Sequence, residues 1–188
     1  MPPPKTDEEI IVLYKNNDQD ALKILISRYT SSLYNFTARL TNRNDAPDIV
    51  QEVFIKTWKN LRNFDPSKAS FKTWIFTITK NTITDFLRKK RSLLFSDMEK
   101  SNDENINSFA ENIPTEDLLP DVALQKLEDS QFLNKTLEKL RLDYQEVLVL
   151  HYQEEMTFEE IGKILDKPLN TVKSQHRRAI LELKKMLN

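Results

Sequence analysis

Near the C-terminus, one stretch has residue types and spacing suited to gripping a nucleic acid. Thr157-Phe158-Glu159-Glu160 is a capping box and predicts the start of a helix. That helix stops at Asp166-Lys167-Pro168, and Asn170 is placed to cap a second helix over Thr171 to Leu187. A short capped helix, a tight turn and a basic helix make helix-turn-helix geometry. Phe158, Ile161, Ile164 and Leu165 fall on the inner face of the first helix, and Val172, Ala179 and Leu183 on that of the second. Gly162, the single glycine of the chain, falls where the second helix crosses the first. A glycine inside a helix is disfavoured by about 1 kcal/mol relative to alanine, so a close approach is its natural reason. Lys173, Ser174, Gln175, Arg177 and Arg178 lie early in the second helix, where a recognition helix meets bases and phosphates. The plainer alternative, a helical hairpin with a wet basic surface, explains the cap and turn but not their agreement with the glycine and the charge.

Two further groups are less specific. Asp48, Gln51 and Glu52 stand at i, i+3 and i+4 and share one helix face; with Lys56 and Lys59 nearby they make a mixed polar surface suited to a protein partner, or simply a solvated face. Phe71, Trp74 and Phe76 precede Lys80, Asn81, Asp85, Arg88, Lys89, Lys90 and Arg91. Aromatics beside basic and amide side chains are what holds unstacked bases of a single strand. Trp74 and Phe76 are read as core, and Phe71, at a loop-helix junction, as exposed. The carboxylate pairs Glu8-Glu9, Glu154-Glu155 and Glu159-Glu160 are sequence neighbours that point apart on a helix, so they form no acid-base or metal dyad. His151, on an apolar helix, is read as structural. No catalytic constellation, metal site or cofactor is expected.

Composition narrows the choice further. With one Gly, no Cys and two His in 188 residues, glycine-rich phosphate loops, nucleophile elbows, zinc sites and thiol chemistry are excluded. The same composition predicts an all-α protein. The longest apolar run, Val147 to Leu150, is too short for a membrane span, and Met-Pro-Pro-Pro begins no signal peptide; a soluble, cytoplasmic protein is expected. The formal charge of −1 conceals segregation: residues 65–92 hold seven basic and two acidic groups, 93–122 one and eight, 123–162 four and nine, and 163–188 seven and two. Local DNA contacts at the two basic blocks follow more naturally than a sequence-blind coat, since phosphate contacts supply most non-specific affinity.

These groups need helices to place them. Ala21, Leu22, Leu25, Tyr29, Leu33, Phe36 and Leu40 predict a helix over Asp20 to Leu40. Asp45 as N-cap and Pro47 in the first turn predict another to Leu61, with Ile49, Val50, Val53, Phe54, Trp58 and Leu61 as its apolar stripe. A third is expected from Ser70 to Arg91, with Ile75, Ile78, Thr82 and Phe86 inward. Residues 93–122, acidic and rich in Asn and Ser with Pro114 and Pro120, are expected as a flexible linker. Beyond it come amphipathic helices over Ala123 to Leu140 and Tyr144 to Tyr152. Two helical domains, 1–92 and 123–188, are thus expected.

In that order, DAPDIVQEVFIKTWKNLRNF, SFKTWIFTITKNTITDFLRKKR and YQEVLVLHYQEEMTFEEIGKILDKPLNTVKS strongly resemble the extracytoplasmic-function (ECF) class of bacterial RNA polymerase sigma factors. The resemblance spans both domains, about 7–92 and 123–187, and leaves the linker unmatched. It implies a sigma region 2-like domain, in which Asp48, Gln51 and Glu52 dock on the clamp coiled coil of core RNA polymerase. Asn81, Asp85, Arg88 and Lys89 would face the −10 promoter element, with Phe71 helping to hold a flipped-out base. It also implies a region 4-like domain whose last helix reads the −35 element through Lys173, Ser174, Arg177 and Arg178. An anti-sigma factor is the partner the family leads one to expect. Three features depart from the family: the turn Asp166 to Asn170 lacks glycine, Gln175 replaces a basic residue, and His176 stands where an apolar residue is common.

The expectation is a sigma factor directing promoter-specific initiation and helping to open the strands, with no enzymatic chemistry of its own. Two rivals stay open: a helix-turn-helix regulator that binds duplex DNA without polymerase, and a helical scaffold that binds a protein and no nucleic acid.

Overall fold

The computed structural model describes residues 5–98 and 136–187, and among these every regular element is helical. The expected linker over 93–122 and helix over 123–140 lie largely outside the described residues.

Helix α1 (Asp7–Lys15) was not anticipated, although its signal stands in the sequence. Thr6 and Glu9 form a capping box, the Glu9 amide donating to Thr6 Oγ1 at 3.3 Å and the Thr6 amide to Glu9 Oε2 at 2.8 Å. The helix buries Ile10 and Ile11 against α2 (Asp20–Leu40). Asp7 ties the pair together, accepting from both Arg28 and the Tyr29 hydroxyl. Burial first, then that hydrogen bond, pushes the Tyr29 phenol far above its ordinary value. Along α2 the buried Ala21, Leu25, Tyr29, Leu33, Phe36 and Leu40 follow the 3.6-residue period the sequence displays.

Helix α3 (Ala46–Asn60) runs into a single 3-10 turn, Leu61–Asn63. Asp45 holds the N-cap position without capping: its carboxylate accepts instead from the Asn42 side chain at 2.7 Å and from Lys90 at 3.0 Å. Helix α4 begins at Phe71, where Ser70 Oγ accepts from the Thr73 amide at 3.2 Å, and continues to Met98, past the expected end at Arg91. Two of its buried threonines are satisfied on their own helix: Thr79 donates to the Ile75 carbonyl and Thr82 to the Ile78 carbonyl, both at 2.8 Å.

In the C-terminal unit, α5 (Leu142–Leu148) passes into a π-helical stretch, Val149–Gln153. Helix α6 (Phe158–Leu165) opens with the expected capping box and ends at Asp166 in the left-handed conformation, φ 51°. Helix α7 (Leu169–Leu187) starts two residues earlier than expected, so Asn170 lies inside it and does not cap it.

The two units share a face. Helix α4 packs on α6, and one buried cluster runs from Leu25, Phe36 and Ile75 to Val147, Ile161 and Val172. A smaller cluster of Leu137, Leu140, Tyr144, Leu148 and Ala179 joins α5 to α7. No helix among the described residues is long and apolar enough to cross a membrane, and no group of His, Cys, Asp or Glu among them could hold a metal ion.

Candidate functional site

The helix-turn-helix is built around Gly162. A Cβ placed there would stand 2.9 Å from the Lys167 carbonyl oxygen and 3.9 Å from Val172 Cγ2. The close approach is therefore to the turn more than to the second helix, and the Lys167 amide seals it by donating to the Gly162 carbonyl at 2.9 Å. The left-handed residue that closes the first helix is Asp166, a conformation that aspartate tolerates better than most side chains. With Val172 and Ala179 buried beneath it, α7 presents Lys173, Ser174, Arg177 and Arg178, all exposed, on its outer side. None of its three cations there enters an ion pair among the described residues, and Ser174 Oγ donates to the Thr171 carbonyl at 3.0 Å. Gln175 turns the other way, donating to Asp143 at 3.0 Å and accepting from Lys167 at 3.3 Å.

Behind α7 lies a ring cluster absent from the sequence reading. His151 stacks on Phe158 at 4.5 Å and donates through Nδ1 to the Met156 carbonyl at 2.9 Å. His176 meets the His151 ring edge-on at 5.2 Å and shares a 3.0 Å hydrogen bond with the exposed Tyr152 hydroxyl. Partial burial, then the neighbouring His151, holds the His176 imidazole below its ordinary value. Glu160 feels opposing influences: burial raises it, yet the hydrogen bonds from Thr157 and Thr73 and the nearby Lys72 together hold it below the usual glutamate value.

On α3, Asp48, Gln51 and Glu52 are exposed on one side, with Glu52 paired to Lys56 at 2.8 Å. Trp58 does not belong to the inward stripe: it is 55% exposed, and Thr57 takes the buried position. Ile55, 43% exposed, lies between Glu52 and Trp58 on the outer face. The polar face thus continues into an apolar end, which the sequence reading missed because it placed Trp58 in the inward stripe and gave Ile55 no role.

On α4, Asn81, Arg88 and Lys89 are exposed and Asp85 is half-exposed, with Arg88 donating to Asp85 at 2.9 Å. Phe71 corrects the sequence reading. It is fully buried, its ring 5.4 Å from Tyr29, 5.7 Å from Phe64 and 5.8 Å from Trp74. A ring enclosed on those sides presents no face to a base; the first apolar residue of a helix entering a core seals the loop behind it. Phe76 is buried and Trp74 half-buried, as expected.

An exposed basic helix set against a turn-capped partner, and a longer helix with exposed Arg88, Lys89 and Lys90, thus present two separate basic surfaces. Residues 25–93 match the family model for sigma-70 region 2, and residues 133–183 match that for sigma-70 region 4. The chain is 34% identical over 174 residues to the ECF RNA polymerase sigma factor SigW of Bacillus subtilis (strain 168), covering 92% of each. It is 30% identical over 178 residues to the ECF RNA polymerase sigma-E factor of Escherichia coli (strain K12), covering 93% of this chain and 90% of that one. The fold is also that of CnrH, solved in complex with the cytosolic domain of CnrY (TM-score 0.68, 23% identity, 97% of each chain). It is likewise that of the sigma factor RpoE, solved in complex with the anti-sigma factor NepR from Bartonella quintana (TM-score 0.65, 24% identity, 88% and 95% coverage). The chain belongs to the ECF class of RNA polymerase sigma factors, the initiation factors that direct core polymerase to promoters.

Proposed function

We propose that the division of labour follows the three exposed faces. The unit within 1–92 docks core RNA polymerase through Asp48, Gln51 and Glu52, extended by Ile55 and Trp58, an exposed apolar end of the kind that anchors a protein partner. Asn81, Asp85, Arg88 and Lys89 of α4 face the −10 element; Phe71 has no part in it. The unit within 123–188 lays α7 in the major groove at the −35 element, where Lys173, Ser174, Arg177 and Arg178 meet bases and phosphates. Residues 93–122 link the two, and linked engagement of two elements lets each be weak alone. The chain works in the cytoplasm, where polymerase is found, carries out no catalysis itself, and is held in check by an anti-sigma factor, on the pattern of the structurally similar RpoE solved with the anti-sigma factor NepR.

The observation that carries this reading is the outer side of α7: three exposed cations without ion-pair partners among the described residues, set on a helix whose inner side is fixed by the Gly162 turn. The test is initiation by core polymerase on genomic fragments, with defined start sites that core alone lacks. Asp48→Ala with Glu52→Ala should weaken polymerase binding in a folded chain, and Arg178→Ala should reduce initiation only at promoters that carry the −35 element. DNA binding without polymerase association would instead establish the self-sufficient regulator, and loss of neither activity in the variants would sink the residue assignment.

A further inference from the structure

Helix α7 is held on both flanks by polar side chains that do not lie on its outer side. At 3.6 residues per turn, successive residues stand about 100° apart around a helix. Val172 and Ala179 face inward and Lys173, Ser174, Arg177 and Arg178 outward, so Gln175 and His176 fall on opposite flanks, each half-buried. Each flank is tied to a different element. On one, Gln175 Nε2 donates to Asp143 Oδ2 at 3.0 Å, in the first turn of α5, while Oε1 accepts from Lys167 at 3.3 Å. On the other, His176 Nε2 shares a 3.0 Å hydrogen bond with the Tyr152 hydroxyl, and its ring meets those of His151 and Phe158 at 5.2 and 5.1 Å.

The Gln175 flank is the more fully determined. Lys167 only donates and the Asp143 carboxylate only accepts, so one orientation of the amide satisfies both. A carboxylate alone at this position could not donate to Asp143, and a basic head could not accept from Lys167. Asp143 is itself fixed: Arg141 donates to it through two nitrogens, each at 3.1 Å, and lies over the Tyr144 ring at 5.1 Å. A line of contacts therefore runs from the start of α5 through α7 into the turn beside Gly162. What it fixes is the rotation of α7 about its own axis. Side-chain atoms about 6 Å from a helix axis move about 1.5 Å on a rotation of about 15°. That carries a donor out of hydrogen-bond reach of a base edge.

We propose that Gln175, with His176 on the opposite flank, is a positioning residue that sets where the outer side of α7 faces, so that discrimination among −35 sequences depends on a side chain that touches no base. The proposal rests on the assignment of α7 to the −35 element.

The full chain, bound to bacterial core RNA polymerase, is given a fluorescent duplex whose −35 element comes from mapped start sites, and the same duplex with that element scrambled. The ratio of the two affinities reads discrimination. Gln175→Glu sets a carboxylate against Asp143 and should lower the ratio about tenfold, the size of one lost base contact. Adding Asp143→Asn exchanges donor and acceptor, keeps the parent's net charge, and should bring the ratio back to the parent's. Tyr152→Phe removes only a hydroxyl from the other flank and should lower the ratio about threefold. Gln175→Met, close in volume and without either polar contact, should show the loss too, and keeps the test if the charged variant does not fold. A ratio that stays low in the double variant, with cytosine newly preferred, would show Gln175 reading bases and overturn the proposal. A folded Gln175→Glu or Gln175→Met chain with the parent's ratio would overturn it as well, and an unchanged ratio in Tyr152→Phe would remove His176 from it. Arg178→Ala with the parent's ratio would overturn the assignment of α7 instead.

Discussion

Replacing Phe71 by alanine separates two roles that one aromatic at a loop-helix junction could hold. Were the ring a base-holding surface, its loss would spare stability and weaken binding to single-stranded DNA. The structure gives it the other role: no part of the side chain is exposed, and it makes edge-on or tilted contacts with Tyr29, Phe64 and Trp74. Truncating a buried phenylalanine costs about 3–5 kcal/mol, the larger figure where the walls cannot collapse. Here the walls are themselves rings fixed by other contacts: Tyr29 by its hydrogen bond to Asp7, and Phe64 by its 5.2 Å contact with Trp74. Collapse is therefore limited and a loss near the upper end is expected. Against a total of about 5–15 kcal/mol for a domain, that is a third or more of the stability. Phe71→Leu keeps most of the volume and should cost about 1–1.5 kcal/mol. Urea unfolding followed by circular dichroism and by tryptophan fluorescence reads both, since Trp74 touches the replaced ring. A Phe71→Ala chain within 1 kcal/mol of the parent that nonetheless lost single-strand binding would refute the core assignment and restore the base-holding one.

Two further predictions concern the C-terminal unit. Gly162→Ala gains about 1 kcal/mol of helix propensity but drives a methyl into the Lys167 carbonyl, an overpacking that costs about 1–3 kcal/mol. A lower thermal midpoint and faster amide exchange in α6 and α7 are expected, and a variant at least as stable as the parent would show that the turn gives way freely. His176, held below its ordinary value in the folded chain, is protonated more readily when unfolded. Its contribution is complete above the unfolded value near 6.5 and is lost as the pH falls from there through the folded one. Melting should therefore occur at lower temperature as the pH falls below about 6.5, less steeply in His176→Gln, and identical pH profiles for the two would contradict it.

Where a single helix decides its own inner face, the sequence declares it. The stripe of α2, the capping box of α6 and the buried Val172 and Ala179 of α7 all follow the 3.6-residue period, and no other element competes for those positions. What failed needed knowledge of a neighbour. Trp58 looked apolar enough to be inside, but α3 meets its neighbours over Ile49, Val53 and Thr57, which leaves the larger residue out and the threonine in. Phe71 looked exposed from its place at a junction, yet Tyr29 from a distant helix closes over it. Asp45 was a natural cap until Lys90 and Asn42 claimed its carboxylate. Helix α1 is a different case, since Thr6-Asp7-Glu8-Glu9 is a capping box of the same form as the one recognised at Thr157.

The polar groups of the chain thus fall into two energetic kinds. Lys173, Arg177 and Arg178 are exposed and lack ion-pair partners among the described residues, so keeping them there costs the fold almost nothing and their removal should leave stability unchanged. Lys72 and Lys80 are matched by carboxylates that are themselves covered, so any partner that takes these lysines must also leave Glu146 and Glu154 a route back to water. Binding through α7 requires no rearrangement of the described units, whereas binding through Lys72 and Lys80 requires them to separate. On that footing, the exposed cations of α7 are reachable with the described units packed as they are, whereas Lys72 and Lys80 are committed to Glu154 and Glu146.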